Sequence, residues 1–361
     1  MITPFRIDVP QAELDDLFDR LDRTRWPDEL PDAGTDYGVP LERVRTLAEY
    51  WRTSYDWRAH EARMNAWPQF TTGIDGENVH FLHIRSADPQ ALPLILTHGW
   101  PGSVVEFLDV IGPLSEEFHV VVPSIPGFGF SGPTHSRGWD VERVARAWAV
   151  LMDRLGYDRY GAQGGDWGSG ISRALGVVAP DNVVGIHVNY LPTPAPRTPG
   201  ARDGLSEEDL SRLAQIEHYL AHQPGARVVQ ATHPQTVAYA LTDSPVGQLA
   251  WIADRFDDWA DPASAISADH IVSDVMHYWL NASAGSSARL HHESGTGFWP
   301  CGQPMGVVVF AHDITRSIRA FAEQSYRITH WSEFDRGGHF AAIEAPELFV
   351  QDVRTFFRGV R

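Results

Sequence analysis

The sequence predicts an α/β fold in which a mostly parallel sheet is covered by helices on both faces. Short apolar runs alternate with amphipathic stretches in residues 70–191, and the alternation returns in residues 305–361. Strands that alternate with helices at this interval pair in parallel, because each helix returns the chain to the same end of the sheet. Only helical signals lie between the two regions, so residues 192–304 are predicted to form a helical lid inserted into the sheet domain.

The first 69 residues are predicted to form a helical arm in front of the sheet domain. Residues 12–24 carry Leu14, Leu17 and Leu21 on one face, and residues 41–55 show a second apolar face. Such stripes are typical of surface helices that bury one side. The predicted domains are the N-terminal arm at 1–69, the first part of the core at 70–191, the lid at 192–304 and the second part of the core at 305–361.

Within these domains, predicted strands are short apolar runs bounded by turn residues, and predicted helices repeat apolar side chains every three or four residues. The strands of the core are expected at 79–84, 92–97, 119–122, 159–163, 183–188, 306–311 and 327–331, and its helices at 104–114, 141–155, 169–178, 315–324 and 346–357. The lid helices are expected at 207–222, 234–241, 246–256 and 268–284.

Charge and cysteine content restrict the classes of partner. The chain has 361 residues and a formal net charge of −18, which repels nucleic acid and anionic lipid head groups, so neither nucleic acid nor membrane is an expected partner. The single cysteine, Cys301, excludes an internal disulfide and fits a reducing compartment. We find no secretory signal and no apolar run near the roughly 18 residues that span a bilayer, so a cytoplasmic location is predicted.

The stretch Gly164-Gly165-Asp166-Trp167-Gly168 stands between an apolar run and a helical pattern. Small residues on both sides of a central residue allow the sharp strand-to-helix turn called a nucleophile elbow, which lifts one side chain above the sheet of an α/β-hydrolase. The lifted residue here is Asp166, and no Gly-x-Ser-x-Gly competes with it. The pattern therefore predicts an α/β-hydrolase fold whose nucleophile is a carboxylate that attacks carbon.

Residues 98–103 follow the strand predicted at 92–97 and form a Gly- and Pro-containing loop. In an α/β-hydrolase a loop at this place supplies one backbone N–H of the oxyanion hole, and the residue after the nucleophile, here Trp167, supplies the other. Two backbone donors are then expected to face the nucleophile. The alternative is a simple turn between a strand and a helix.

His339 lies on a glycine-rich stretch before the last predicted helix, which is the usual position of the hydrolase base. The acid that orients this histidine should stand between the nucleophile and the histidine, just after a strand. Asp313 follows a predicted strand and is the preferred acid. Glu333 and Asp335 remain alternatives, whereas Glu323 falls inside a predicted helix.

These residues predict a hydrolysis in two steps. Asp166 attacks an electrophilic carbon to give an alkyl ester, and His339, oriented by Asp313, then activates the water that hydrolyses this ester. The electrophile is an epoxide if the lid supplies a proton to the ring oxygen, or a haloalkane if the lid supplies donors for a halide. Neither reaction calls for a metal or a cofactor, and no residues are assigned to bind one.

Several motifs resemble those of the microsomal-type epoxide hydrolases, in their soluble bacterial branch. They are HGWPGS at 98–103, PSIPGFGFS at 123–131, GGDWGS at 164–169, ALTDSPVG at 240–247 and RGGHFAA at 336–342. The segment PFRIDVP near the start is similar to the region of this family that wraps the hydrolase domain. The resemblance covers nearly the whole chain. It implies Asp166 as nucleophile, His339 as base, Asp313 at the acid position, and Trp100 and Trp167 as oxyanion-hole residues.

The lid departs from the family pattern. The family uses two lid tyrosines to hold and protonate the epoxide oxygen, and the matching positions here are Ala226 and His291. A neutral tyrosine is a suitable acid for the alkoxide that forms on ring opening, and general acid catalysis of this kind is worth roughly 10²–10⁴-fold in rate. Tyr239 is the first candidate to replace the missing donors, followed by Tyr219, Tyr278 and His291. The family's mammalian members have a membrane anchor before the arm, whereas this chain begins at the arm, in line with the cytoplasmic prediction.

The functional prediction is an epoxide hydrolase that converts a small-molecule epoxide into a vicinal diol, in detoxification or secondary metabolism. The aromatic-rich and unusual lid suggests a bulky, specialised epoxide. Two alternatives remain open: a haloalkane-type hydrolase that uses the same Asp166, and a hydrolase-fold binding protein with impaired turnover. The oligomeric state is open as well, with a homodimer as one option.

Overall fold

One sheet organises the computed structural model, which describes residues 1–196, 198–222, 224–264, 266–295 and 297–360. Its strands are β1 (Ile2–Phe5), β2 (Gln69–Ile74), β3 (Glu77–Ile84), β4 (Leu92–Thr97), β5 (Phe118–Pro123), β6 (Tyr160–Gly164), β7 (Val183–Val188), β8 (Pro304–Phe310) and β9 (Arg327–Phe334). In the described residues the strand order is β1-β2-β3-β5-β4-β6-β7-β8-β9. Pairing is antiparallel from the first edge to the β3/β5 pair and parallel from β5 to the last edge.

Helices cover this sheet and extend beyond it. Every residue of β5 and of β6 is buried, which requires cover on both faces. The mostly parallel α/β-hydrolase fold is thereby confirmed. The helices are α1 (Gln11–Asp22), α2 (Leu41–Thr53), α3 (Trp57–Asn65), α4 (Leu108–Ser115), α5 (Val141–Arg154), α6 (Asp166–Val178), α7 (Glu207–Ala221), α8 (Gly225–Thr232), α9 (Pro234–Asp243), α10 (Pro245–Trp259), α11 (Ala268–Leu280), α12 (Ala284–Ser294), α13 (Arg319–Ala322), α14 (Ala341–Glu344) and α15 (Pro346–Arg358).

The N-terminal region differs from an all-helical arm. Residues Ile2–Phe5 form the edge strand β1, which pairs with β2, and α3 adds a third helix before the sheet domain. The strand is four residues long and contains Pro4, so it carries no alternation that a sequence pattern could reveal. Proline is tolerated there because one side of an edge strand forms no ladder hydrogen bonds.

The helix expected at 315–324 is much shorter in the structure, where only Arg319–Ala322 is helical. The preceding backbone is held by contacts with a distant segment of the chain. The Ser317 hydroxyl donates to the Leu191 carbonyl at 2.7 Å, and the Ile318 N–H donates to Thr193 Oγ1 at 2.7 Å. These long-range bonds compete with helical hydrogen bonds, and the local pattern does not contain them.

Helices α7 to α12 follow β7 and precede β8, and the N-terminal helices brace them. The helix α2 packs against α10 and α11, and α1 packs against α10. Arg43 donates twice to Asp257, at 2.8 and 2.9 Å, and the buried Trp51 indole donates to Met276 Sδ at 3.2 Å. The division into arm, core and lid at the boundaries given above stays a prediction. Among the described residues, no helix combines the length and the apolar character needed to cross a membrane.

Candidate active site

Asp166 occupies the turn between β6 and α6. Its φ is +46°, a backbone conformation that non-glycine residues rarely adopt and that costs of the order of 1–3 kcal/mol. Its neighbours explain how the turn fits. A Cβ added to Gly168 would lie 1.9 Å from the Thr97 carbonyl oxygen at the end of β4, so only glycine allows α6 to begin so close to the sheet. The first turn of α6 also favours a carboxylate through its free N–H groups.

Backbone N–H groups hold the Asp166 carboxylate. The Trp100 N–H donates to Asp166 Oδ1 at 2.8 Å, and the Trp167 N–H also bonds this carboxyl group. The loop approaches so closely that a Cβ on Gly99 would lie 2.3 Å from the Asp166 Cβ. Burial tends to raise the pKa of Asp166, but hydrogen bonds from His339 and from the two N–H groups outweigh burial and lower it. The carboxylate is therefore anionic and oriented.

His339 lies between two carboxylates. Its Nδ1 is 2.8 Å from Asp313 Oδ1, and its Nε2 is 3.5 Å from Asp166 Oδ2. The rings of Tyr190 and Trp259 stand nearly perpendicular to the imidazole, at centroid distances of 5.2 and 5.1 Å. His339 and Asp313 are both buried. The structure thus brings together the three side chains that the sequence analysis assigned to catalysis.

The two alternative acids lie away from His339. Glu333 is exposed and accepts two hydrogen bonds from the Arg212 guanidinium, at 2.9 and 2.6 Å. Asp335 is exposed as well. Asp313 is the acidic residue that the fold places against the imidazole, and its Oδ1 is further held by the Ile314 N–H at 2.7 Å.

The two carboxylates determine the charge of His339. Burial alone would lower its pKa, but the charges and hydrogen bonds of Asp313 and Asp166 outweigh burial and raise the pKa to about 10. The imidazole is therefore cationic at neutral pH while Asp166 carries its negative charge. Neutralising Asp166 would remove one of the two anions, and the ring would then release its proton more readily.

The prediction for Tyr239 needs correction. Its side chain is 72% exposed on α9, so its hydroxyl faces solvent and not the nucleophile. Tyr278 is buried, but its hydroxyl donates to the Gly102 carbonyl at 2.8 Å, which supports the loop beside Asp166. A helical pattern in the sequence does not show which of several tyrosines on neighbouring helices points inward.

His291 packs against the two predicted oxyanion-hole residues. Its ring contacts the Trp167 and Trp100 rings at centroid distances of 4.9 and 5.5 Å, and its Nε2 accepts the Trp167 indole N–H at 3.3 Å. Burial lowers the pKa of His291 to about 4, so the ring is neutral. A neutral imidazole that accepts at Nε2 carries its proton on Nδ1. The nitrogen facing Trp167 therefore has no proton to give.

Tyr219 forms a cluster with two residues that the sequence analysis did not single out. Tyr219 on α7 interacts with the Arg227 guanidinium on α8 and with the hydroxyl of Tyr190, which follows β7. All three groups interact with the Asp166 carboxylate. Tyr190 had a signal in the sequence, because it follows a predicted strand at the sheet edge where α/β proteins bind ligands. Arg227 had none.

A small cavity of about 20 Å³ lies beside the three assigned side chains. This volume is enough for one water molecule. Its lining includes Asp166, His339, Asn189 and Glu106, a residue that the sequence analysis also missed. Burial raises the pKa of Glu106 well above its usual value, and the nearby Asp274 carboxylate adds to this effect, so both favour the protonated form of Glu106. No group of three or more His, Cys, Asp or Glu side chains in the described part of the chain is arranged to hold a metal ion.

Two family profiles match the sequence. The profile described as "Epoxide hydrolase N terminus" matches residues 2–107, and the profile described as "alpha/beta hydrolase fold" matches residues 93–198. A protein of Stigmatella aurantiaca (strain DW4/3-1) that carries the provisional name of epoxide hydrolase is 46% identical, over 100% of this chain and 86% of the relative. Epoxide hydrolase 1 of Sus scrofa is 32% identical, over 98% of this chain and 88% of the relative.

Solved structures give the same result. Epoxide hydrolase from Aspergillus niger superposes with a TM-score of 0.93 and is 31% identical, and the match covers 100% of this chain and 97% of that one. Juvenile hormone epoxide hydrolase from the silkworm Bombyx mori superposes with a TM-score of 0.93 and is 30% identical, over 100% of this chain and 95% of that one. The likeness therefore includes the arm and the lid as well as the sheet.

Replacing Asp166 by Asn should lower the pKa of His339. Because one of the two neighbouring anions is lost while burial is unchanged, we expect the pKa to fall from about 10 by at least about one unit. The imidazolium then loses its proton at lower pH than in the unchanged protein. NMR titration of the imidazole nitrogens measures this shift, with Glu347→Gln, a substitution at an exposed position of α15, as a control. An unchanged pKa in Asp166→Asn would contradict the proposed charge coupling.

Proposed function

This chain belongs to the epoxide hydrolase family and is an epoxide hydrolase, and from that premise we propose that it opens its substrate through a covalent ester on Asp166. The observation that carries the proposal is the position of His339, which lies between Asp166 and Asp313. This arrangement supplies both a nucleophile for carbon and a base for the later hydrolysis.

In the first step the Asp166 carboxylate attacks one carbon of the epoxide. A new bond forms between that carbon and a carboxylate oxygen, and the carbon–oxygen bond of the ring breaks. The two backbone N–H groups of Trp100 and Trp167 hold the carboxylate in a fixed orientation. Fixed orientation of the reacting groups lowers the barrier because less freedom is lost when the transition state is reached.

In the second step His339 acts as the base. Esterification removes the negative charge of Asp166, so the pKa of His339 falls, the imidazolium gives up its proton, and the neutral ring can then take a proton from water. The resulting hydroxide attacks the ester carbonyl carbon, and the negative oxygen that forms there accepts hydrogen bonds from the N–H groups of Trp100 and Trp167. The ester bond then breaks, the departing oxygen takes the proton from His339 to give the diol, and the new carboxyl group of Asp166 returns a proton to the ring. Asp313 orients the imidazole and balances its positive charge throughout.

The small cavity provides a place for the hydrolytic water. It adjoins both His339 and Asp166, and it has polar walls from Asn189 and from Glu106, whose pKa is raised by burial. A water molecule is stable in a cavity only if it has polar partners, and these side chains supply a donor and acceptors. We therefore assign Glu106 as a positioning residue for water, which acts on the second step alone.

The substrate is proposed to carry a bulky apolar or aromatic group. Support comes from the aromatic rings around the nucleophile, where Trp100 contacts Trp259 at a centroid distance of 6.3 Å and Trp167 contacts His291 at 4.9 Å. Such rings bury apolar surface of a ligand and leave few polar groups to satisfy. On a panel of epoxides, those with aryl substituents should show the highest kcat/KM. A preference for short aliphatic epoxides would contradict this assignment.

A cytoplasmic location and a homodimeric state remain predictions. The net charge of −18 supports the first, because an acidic surface disfavours association with anionic membranes. No specific contact supports the homodimer. The haloalkane reaction and the turnover-impaired binding protein have no specific observation in their favour and are not proposed.

The ester on Asp166 is directly testable. A single turnover in ¹⁸O-labelled water should place the label in the Asp166 side chain, since water attacks the carboxyl carbon and the original carboxylate oxygen leaves with the diol. In His339→Gln the first step proceeds and the second is blocked, so the ester should accumulate as a protein species heavier by the mass of the epoxide. Peptide mass spectrometry locates both changes.

The matched control is Asp166→Ala, which should give neither label nor adduct. Label found only in the diol, together with an unlabelled Asp166, would show direct attack of water on the epoxide and would overturn the ester mechanism. An adduct on a residue other than Asp166 would reject the assignment of the nucleophile.

Replacing Glu106 by Leu should slow ester hydrolysis. The apolar side chain removes a polar partner of the water, and misplacement of a reacting group costs roughly 10²-fold in rate. Glu106→Gln keeps a donor and an acceptor, so its loss should be much smaller. Rapid-quench mass spectrometry measures ester formation and ester decay separately. Slower formation with unchanged decay would contradict the role in water positioning.

A further inference from the structure

Ring opening of an epoxide places a negative charge on the departing oxygen. A free alkoxide is a strong base, so the barrier is high unless a donor gives the oxygen a proton or a cation stabilises it. The identity of the groups that supply these functions rests on the proposed function, because it presupposes that Asp166 attacks carbon. Lid residues lie close to the nucleophile, since His291 of α12 contacts the ring of Trp167, the residue after Asp166.

Most candidate donors in the lid are unsuited to this role. The Ala226 side chain has no polar atom, and the Tyr239 hydroxyl faces solvent. The Tyr278 hydroxyl already donates to a loop carbonyl. His291 is neutral, and its Nε2 accepts an indole N–H. Each of these side chains therefore has no available proton or does not point toward the epoxide oxygen.

Tyr219, Arg227 and Tyr190 come from three different elements and meet beside Asp166. The Tyr219 hydroxyl interacts with both the Arg227 guanidinium and the Tyr190 hydroxyl. The Tyr190 ring is buried and stands perpendicular to the His339 ring at a centroid distance of 5.2 Å, which fixes the cluster next to the catalytic imidazole. Two helices of the lid and the loop after β7 thus bring a phenol within electrostatic range of Asp166 and next to the ring that contacts His339.

Arg227 has no counter-ion of its own among the ion pairs of the described residues. Its half-buried guanidinium interacts with the two tyrosines and, at longer range, with Asp166. A cation withdrawn from water without a carboxylate partner lowers the stability of the fold, so its presence points to a role in the reaction. The first step offers such a role, because the negative charge of Asp166 is lost in the ester while a negative charge develops on the ring oxygen. A cation near both positions stabilises the charge as it moves.

We propose that Tyr219 donates a proton to the epoxide oxygen and that Arg227 holds the Tyr219 hydroxyl and stabilises the negative charge left by this transfer. As Asp166 forms its bond to carbon, the ring bond breaks and the oxygen takes the Tyr219 proton, which gives a hydroxyl group and a tyrosinate. After esterification the His339 imidazolium passes its proton to the tyrosinate, and the carboxyl group that ester hydrolysis regenerates on Asp166 later returns a proton to His339. Protons and charges balance over the cycle without a further reactant.

Arg227 also has a predictable effect on the pH dependence. Burial raises the pKa of Tyr219, and the neighbouring guanidinium opposes this by favouring the tyrosinate. The donor works only while it is protonated, so ester formation is lost as the pH rises through the pKa of Tyr219. Removing the charge of Arg227 should move this alkaline limit to higher pH and lower the rate below the limit.

The test measures ester formation on Asp166 in single turnovers of the whole protein. Tyr219→Phe should reduce its rate by roughly 10²–10⁴-fold, while decay of any ester formed stays unchanged. The loss should be smaller for epoxides with electron-withdrawing substituents, whose alkoxides are weaker bases. Tyr239→Phe, a tyrosine on the exposed side of the lid, serves as the matched control and should keep the original rate.

Arg227→Gln should slow ester formation and shift the alkaline limit upward, and Arg227→Lys should recover part of the rate because it restores the charge. A merely structural role for Arg227 would lower stability without moving the pH profile. Circular dichroism and thermal unfolding of each variant separate loss of fold from loss of chemistry.

Ester formation at the original rate in Tyr219→Phe would overturn the proposal. If Tyr190→Phe then showed a large loss, Tyr190 would be the donor. Failure of the proposed function looks different, because it would leave the unchanged protein without any ester on Asp166.

Discussion

The shared charge of His339 and its two carboxylates is the interaction on which the site depends. Asp166 and Asp313 lie on opposite sides of the imidazole, and together they raise its pKa to about 10 despite burial. In the mechanism we propose, the ring is therefore cationic until Asp166 becomes an ester and acts as a base afterwards. A single covalent event thus changes the role of a side chain that does not need to move. The strained turn at Asp166 and the close approach of Gly99 are what keep the three groups within reach.

The parts of this arrangement that are local in the chain could be predicted from the sequence. The residue types of Gly164-Gly165-Asp166-Trp167-Gly168 determine a sharp turn. Asp313 follows a strand with an easily recognised apolar run, and His339 follows a strand in which polar and apolar residues are mixed. The order of the sheet brings the ends of β6, β8 and β9 to one edge, so the three side chains had to meet. The sequence favours Asp313 as the acid but leaves Glu333 as an alternative. The structure decides between them, because Arg212 of the distant helix α7 binds Glu333 and holds it away from His339.

The parts that depend on contacts between distant segments could not be predicted. Glu106 resembles any acid in the first turn of a helix, and its proximity to Asp166 arises from the packing of the loop before α4. Arg227 lies on a short lid helix whose orientation depends on α9 and α12. The edge strand β1 required knowledge of its partner β2, which lies more than 60 residues away. In each case the residue type does not reveal where the residue lies in the fold, and contacts with a distant segment determine its position.

The two steps of the reaction use different surroundings of the same carboxylate. The cavity suited to water is lined by Glu106 and Asn189, which belong to the sheet domain and its loops, so its geometry follows from the fold. The groups suited to the epoxide oxygen are Tyr219 and Arg227, and their positions depend on the lid helices α7 and α8. Among the described residues that line the water cavity none belongs to α7 or α8, so changes in these two helices can alter the substrate side of the site without disturbing the water side. In the mechanism we propose, this separation lets Tyr219 and Arg227 serve the epoxide oxygen in place of the family's two lid tyrosines, while the hydrolytic half of the site stays the same.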